Sequence, residues 1–294
     1  MRSSLALALL PLAQAINIIS SNDDGWAEAN IRSIFNALSS AGHSVVLSAP
    51  AENQSGSGSR DETPSARTEP CEFDSCTAGA SYGTNETDTR LNWVNSYPVT
   101  SIKHGIDTIS PQFFNGLPDL AVSGPNVGNN LGITVYFSGT VGAASYAAGT
   151  GGVPAIAFSG ESGSPTAWNA EVPAYSTIYA ELAAKVVDRV VAAGSPYLPE
   201  DVWLNVNFPA VDDTCTSADD FKFVLSRIFA AVPLITDDDV ESCGSTRLPM
   251  ESSVVRTDGC YVSISVGTSD KTDADATLQG DILQKLGDFL TCLP

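Results

Sequence analysis

Two rhythms of apolar residues run along this chain. Ile16, Ile18 and Ile19 make a short buried-strand run, and Ile31, Ile34, Phe35 and Leu38 then recur at helical spacing until Gly42. Val45-Val46-Leu47 opens the next strand. Strand, helix and strand in that order imply parallel pairing through a right-handed crossover, with helices on both faces of a sheet. The pattern resumes with a strand at Leu120 to Val122, a Gly/Asn loop over 123–132, a small-residue helix from about Thr140 to Ala148, and a strand at Val153 to Phe158. Tyr175, Ile178, Tyr179, Leu182, Val186, Val187 and Val190 give the clearest amphipathic helix, whose stripe suits core packing. Val202 to Phe208 reads as a strand stopped by Pro209, and Tyr261 to Val266 alternates like another. Leu278, Ile282, Leu283, Leu286 and Leu290 predict a terminal helix. Two stretches keep no period: 56–90 reads as a loop closed by cysteines, and 210–260 as an acidic, irregular extension. The expected class is α/β with a mostly parallel sheet.

The start of the chain changes the compartment expected. Arg2, an apolar run from Leu5 to Ala13, and small residues at Ala13 and Ala15 read as a secretory signal at 1–15, leaving 279 of 294 residues after cleavage. No segment reaches the ~20 apolar residues of a membrane helix, so no membrane partner is expected. Export makes disulfides the expected state of Cys71, Cys76, Cys215, Cys243, Cys260 and Cys292. Local spacing favours pairing Cys71 with Cys76 and Cys243 with Cys260. Asn53-Gln54-Ser55 and Asn85-Glu86-Thr87 are glycosylation sequons.

Charge then narrows the partners. With 14 Lys and Arg scattered among 34 acids, the net charge is −20, which disfavours any nucleic-acid polymer. A small phosphate ester would still need local positive potential, and a bound cation supplies it.

Three polar clusters follow three predicted strands: Asn22-Asp23-Asp24-Gly25, Asn53-Gln54-Ser55-Gly56, and Ser123 to Asn130. The carboxyl ends of parallel strands share one edge, so these clusters converge there. Together they offer carboxylates, a hydroxyl and amide oxygens, hard donors suited to Mg²⁺, Mn²⁺ or Ca²⁺. Adjacent carboxylates also repel unless a cation offsets them. A helix cap near Trp26 would explain one Asp equally well. Ser138-Gly139-Thr140, before the small-residue helix, fits either a phosphate cradle or ordinary capping. Asp237-Asp238-Asp239 reads as a solvated loop or cap. P-loop, G-x-S-x-G and H-E-x-x-H signatures are lacking. His43, just before a strand, and His104, in a Gly-flanked turn, are the only histidines available to a triad.

In this order and spacing the motifs resemble the SurE family of survival nucleotidases and acid phosphatases. The matching stretches are Ile18 to Gly25, Ala49-Pro50 with Asn53 to Gly56, Asp119 to Gly132, and Tyr136 to Val141, with an echo at Asn205-Val206-Asn207-Phe208-Pro209. The resemblance implies a Rossmann-like three-layer sandwich, with a catalytic core at about 16–209 and a C-terminal extension and helix at 210–294. It implies one divalent cation, Mg²⁺ or Mn²⁺, held by Asp23, Asp24, Ser55 and Asn126, with Asp23 and Asp24 also catalytic. Asn130, Ser138, Gly139 and Thr140 would hold the phosphate. The implied activity is hydrolysis of phosphate monoesters such as nucleoside monophosphates, in a homodimer or tetramer, secreted or vacuolar. A secreted metal- and phosphate-binding protein without turnover is the alternative. Departures from the family pattern are Pro125, Tyr97-Pro98-Val99-Thr100 where an acid is usual, and the insertion after Ser55.

Overall fold

The computed structural model describes residues 14–294, so most of the expected signal segment lies outside the described residues. The first half of the chain forms β1 (Asn17–Ser21), α1 (Ala29–Ser40), β2 (Ser44–Pro50), β3 (Tyr82–Thr84), β4 (Leu91–Val94), α2 (Pro98–His104), α3 (Ser110–Phe114) and β5 (Leu120–Val127). The second half adds α4 (Gly139–Ala148), β6 (Ala155–Gly160), α5 (Ala174–Ala192), β7 (Val202–Phe208), β8 (Lys222–Ser226), α6 (Glu251–Val255), β9 (Tyr261–Thr268) and α7 (Ala276–Leu286). All nine strands join one sheet in the order β3-β4-β2-β1-β5-β6-β7-β9-β8. The six strands from β4 to β7 run parallel, β3 and β9 pair antiparallel to the block's two edges, and β8 lies parallel to β9.

Two cores make the sandwich. Ile31, Ile34 and Leu38 of α1, Val186 and Val187 of α5, and Ile282 of α7 pack with Ile18, Val122 and Val206 on one face. Ile102 of α2 and Ala143, Ala144 and Ala147 of α4 pack with Ile19, Ala121 and Ala157 on the other. Strands sandwiched on both faces favour apolar residues pointing either way, which is why Ile18-Ile19, Leu120-Ala121-Val122 and Val202-Trp203-Leu204 read as runs. Helix α4 is mostly Gly, Ala, Ser and Thr and is buried almost all round, so it lies close over β5 and β6.

Four expectations change. Both supposedly structureless stretches contain elements: β3 in the first, and β8 and α6 in the second. Strand β3 is only three residues long, too short to show a period, and β8 is a brief apolar run among acids. His104 ends α2, and a π-helical segment Gly105–Ile109 continues from it, so it is not in a turn. Asp239 is buried against Arg227, bonding Nη1 at 2.7 and 2.6 Å, and is not a solvated loop acid.

The fourth change is the disulfide pattern. Cys71–Cys76 forms as expected, but Cys215 pairs with Cys260 and Cys243 with Cys292. Cys215 precedes β8 and Cys260 precedes β9, so parallel pairing of those strands brings the two together. Thr291 donates its N–H to Phe223 O of β8, which lays the tail bearing Cys292 along that edge. Proximity in sequence was a poor guide because the sheet makes the neighbours.

Candidate active site

Strand β1 has β2 on one side and β5 on the other, so connections leave it in opposite directions and open a crevice at its carboxyl end. Asp23 and Asp24 sit in that crevice, both buried. Neither caps α1: the cap is Glu28, whose carboxylate accepts from Asn30 N at 2.5 Å. The cap alternative for the Asp pair is therefore excluded.

Asp23 faces the start of α4. Its Oδ2 accepts from Gly139 N at 3.1 Å and its Oδ1 from Thr140 Oγ1 at 2.5 Å. A side chain at Gly139 would push on the aspartate itself, since a Cβ would lie 2.7 Å from Ser57 Oγ and 2.8 Å from Asp23 Cβ. Ser138 caps the helix, its Oγ accepting from Val141 N at 3.1 Å. Asp24 crosses to β5, where its Oδ2 accepts from Val127 N at 2.8 Å.

Asn126 stands at the end of β5. Its amide nitrogen donates to Gly128 O at 2.6 Å, and a carbonyl can only accept. The side-chain oxygen is therefore turned the other way, 3.5 Å from Thr140 Oγ1. Along the same edge Asn126 is in register with Ser159 of β6, and Ser159 with Asn207 of β7. Asn130 folds over this row: its N–H donates to Asn207 Oδ1 at 2.8 Å and its Nδ2 to Ser159 Oγ at 2.8 Å. The β2 loop reaches the crevice through Gln54 N, which donates to Asp23 O at 2.6 Å. Ser55 itself is exposed and its N–H is held by Asn53 Oδ1 at 2.8 Å, with no hydrogen bond from its hydroxyl to the two aspartates.

The electrostatics are unfavourable as they stand. Burial pushes Asp23 above its ordinary range despite the hydrogen bonds from Thr140 and Gly139. Burial, reinforced by the charge of Asp23, pushes Asp24 well above it. Glu28 and Glu72 add negative potential, each raised by burial to about 7. Glu72, inside the Cys71–Cys76 loop, accepts from Asn53 N at 3.0 Å and fills the space beside Gly25, whose φ of +106° suits only glycine. Among the described residues no Lys, Arg or His forms an ion pair with Asp23 or Asp24.

A divalent cation fits this donor set. Two carboxylates need compensation, Asn126 presents oxygen and not nitrogen, and all donors are hard. Among the described residues no three His, Cys, Asp or Glu side chains gather to hold an ion, so neutral oxygens would complete the shell. Ser159, Asn207, Glu28 and Glu72 were not singled out from the sequence; of these only Asn207 left a trace there, in the Asn-Val-Asn-Phe-Pro run.

Comparison with known proteins identifies the family. The family profile described as survival protein SurE matches residues 18–227. An acid phosphatase of Yarrowia lipolytica is 36% identical over 285 residues, covering 86% of this chain and 79% of its own. A 5'-nucleotidase SurE of Lawsonia intracellularis is 30% identical over 198 residues, 67% of each chain. The crystal structure of the SurE protein from Aquifex aeolicus shares the fold at a TM-score of 0.60 and 24% identity, covering 91% of this chain and 98% of that one. The chain belongs to the survival protein SurE family.

Proposed function

We propose that the chain is a divalent-metal-dependent phosphomonoesterase acting on phosphate monoesters, with nucleoside monophosphates the leading substrates. The observation that carries this is the buried Asp23–Asp24 pair, without a cationic partner, at the sheet's switch point beside the Ser138–Thr140 turn. The names borne by its relatives, acid phosphatase and 5'-nucleotidase, support the reaction class.

Asp23, Asp24, Ser55 and Asn126 are the residues assigned to hold one Mg²⁺ or Mn²⁺. When bound, such an ion offsets the carboxylates, polarises the phosphoryl oxygens and acidifies water. Thr140 and Gly139 occupy both oxygens of Asp23 and so orient it. Asp24 has only Oδ2 engaged, by Val127 N, which leaves Oδ1 as the acceptor for the attacking water's proton. Asn130 spends one amide proton on Ser159 and has one left for a phosphoryl oxygen. The Ser138 hydroxyl, which accepts from Val141 N and keeps its own proton free, completes that cradle, with Gly139 and Thr140 setting its place beside Asp23. Tyr136 and Phe137, exposed directly before Ser138, offer an aromatic surface for a base or aryl leaving group.

Three disulfides support an oxidising compartment, hence secretion, with a vacuole as the variant destination. None of the described helices is long and apolar enough to cross a membrane. The acidic surface argues for a small-molecule partner over nucleic acid, and the family pattern for a homodimer or tetramer. Turnover of an aryl phosphate and of nucleoside monophosphates, measured with and without EDTA and with Mg²⁺ or Mn²⁺ restored, tests the proposal. Activity that survives EDTA overturns the metal; binding of phosphate without turnover favours the non-catalytic alternative.

A further inference from the structure

Beneath the row Asn126–Ser159–Asn207 runs a second polar row, Asn205 of β7, Ser265 of β9 and Ser226 of β8, in register across the three strands. A single side chain from the C-terminal part covers it. Glu251, at the start of α6 and fully buried, accepts from Asn205 Nδ2 at 2.9 Å and Ser265 Oγ at 3.1 Å through Oε2. Its other oxygen accepts from Gly132 N at 2.6 Å.

Both routes lead to Asn130. Gly132 lies two residues beyond it, and Asn205 Nδ2 also donates to Asn130 O at 2.9 Å. That one nitrogen serves both acceptors while Asn205 Oδ1 is left without a partner. Two acceptors, Glu251 Oε2 and Asn130 O, together dictate which way the Asn205 amide points; reversed, Asn205 would turn an oxygen on two oxygens. Asn207 holds the backbone of Asn130 from the other side, at 2.8 and 3.2 Å.

We infer that Glu251 is a positioning residue for the phosphoryl group, fixing Asn130 through Gly132 and Asn205, so that α6 sets phosphate affinity from outside the aspartate crevice. This rests on the reading that Asn130 contacts the phosphoryl group. A glutamine at 251 has one acceptor end and one donor end, and the donor end must oppose either Gly132 N or the Asn205 and Ser265 donors. The Asn130 loop then shifts, while the aspartates keep every partner.

The test compares Glu251→Gln, Asn205→Ser and Asn130→Ala in the full chain, above pH 8 where the Glu251 carboxylate is ionised in the folded protein, with saturating Mn²⁺. The readouts are the inhibition constant of inorganic phosphate, KM and kcat for an aryl phosphate, Mn²⁺ affinity and melting temperature. Glu251→Gln is expected to raise the phosphate constant and KM about tenfold, the scale of one lost buried hydrogen bond, with kcat within about threefold and Mn²⁺ affinity unchanged. Asn205→Ser, which cuts the same link without touching the carboxylate, moves the phosphate constant in the same direction and carries the test if Glu251→Gln does not fold. A melting shift with an unchanged phosphate constant in both, beside a raised constant in Asn130→Ala, overturns the inference alone. An unchanged constant in Asn130→Ala overturns the phosphate reading of Asn130 and the inference with it.

Discussion

Two buried aspartate sites in this protein answer the same physical problem differently. At the C-terminal end, Arg227 bonds both oxygens of Asp239 and approaches Asp273 at 3.4 Å, while Gln279 and Leu248 N add donors to Asp239 at 3.0 Å each. Charge is matched by charge inside the chain. In the crevice, Asp23 and Asp24 receive only neutral donors, from Gly139, Thr140 and Val127. The first arrangement is complete as a structural anchor; the second is complete only with a cation. A buried carboxylate pair left uncompensated costs stability, so its retention points to chemistry.

That contrast can be broken at several points. The largest effect is expected for Asp23→Asn or Asp24→Asn, each lowering kcat/KM on an aryl phosphate about 10⁴-fold, roughly 5 kcal/mol, with unchanged circular dichroism. Near-normal turnover in either variant would remove the site. Next comes Asp239→Ala, which leaves Arg227 only the longer carboxylate contact, to Asp273, and should cost about 3 kcal/mol in urea unfolding, with little change in activity per folded molecule. If it abolished turnover without destabilising, the two sites would not differ in kind.

A third measurement uses pH. Burial lifts Glu251 from its ordinary 4.5 to about 8, with the charge of Asp273 adding to it against the hydrogen bonds from Gly132, Asn205 and Ser265. Between those values the folded chain keeps a proton that the unfolded chain has released. Stability from this group is fully present below pH 4.5 and declines as pH rises toward 8, by up to about 1.4 kcal/mol per unit. The slope in that window should flatten in Glu251→Gln. The smallest effect sharpens the comparison most: in metal-free protein, Asp24→Asn should raise stability by about 1 kcal/mol by ending the repulsion with Asp23, whereas Asp239→Ala lowers it.

Much of this was legible in the sequence, and the reasons are physical. Strands β1, β5, β6 and β7 are buried on both faces and so announce themselves as apolar runs, and α1 and α5 carry an apolar stripe. The crevice was readable because Asp23, Asp24, Asn126 and Asn130 each follow such a run, and parallel strands bring their ends together. Glu251 was not readable: it comes from a five-residue helix in an acidic stretch, and nothing local in the sequence separates it from the exposed acids around it. Glu72 was hidden in the same way, since only the turn at Gly25 shows what it packs against. The disulfides of the last third follow the order of β8 and β9, which spacing along the chain does not reveal.

The central claim is that Asp23 and Asp24 are built around a cation. Calorimetric titration of EDTA-treated protein with Mn²⁺, alongside Asp24→Asn, tests it most directly. The account predicts one Mn²⁺ bound per chain, turnover restored in proportion to occupancy, and binding lost or greatly weakened in Asp24→Asn. Full turnover in the metal-free protein, or Mn²⁺ binding of the same strength in Asp24→Asn, would contradict it.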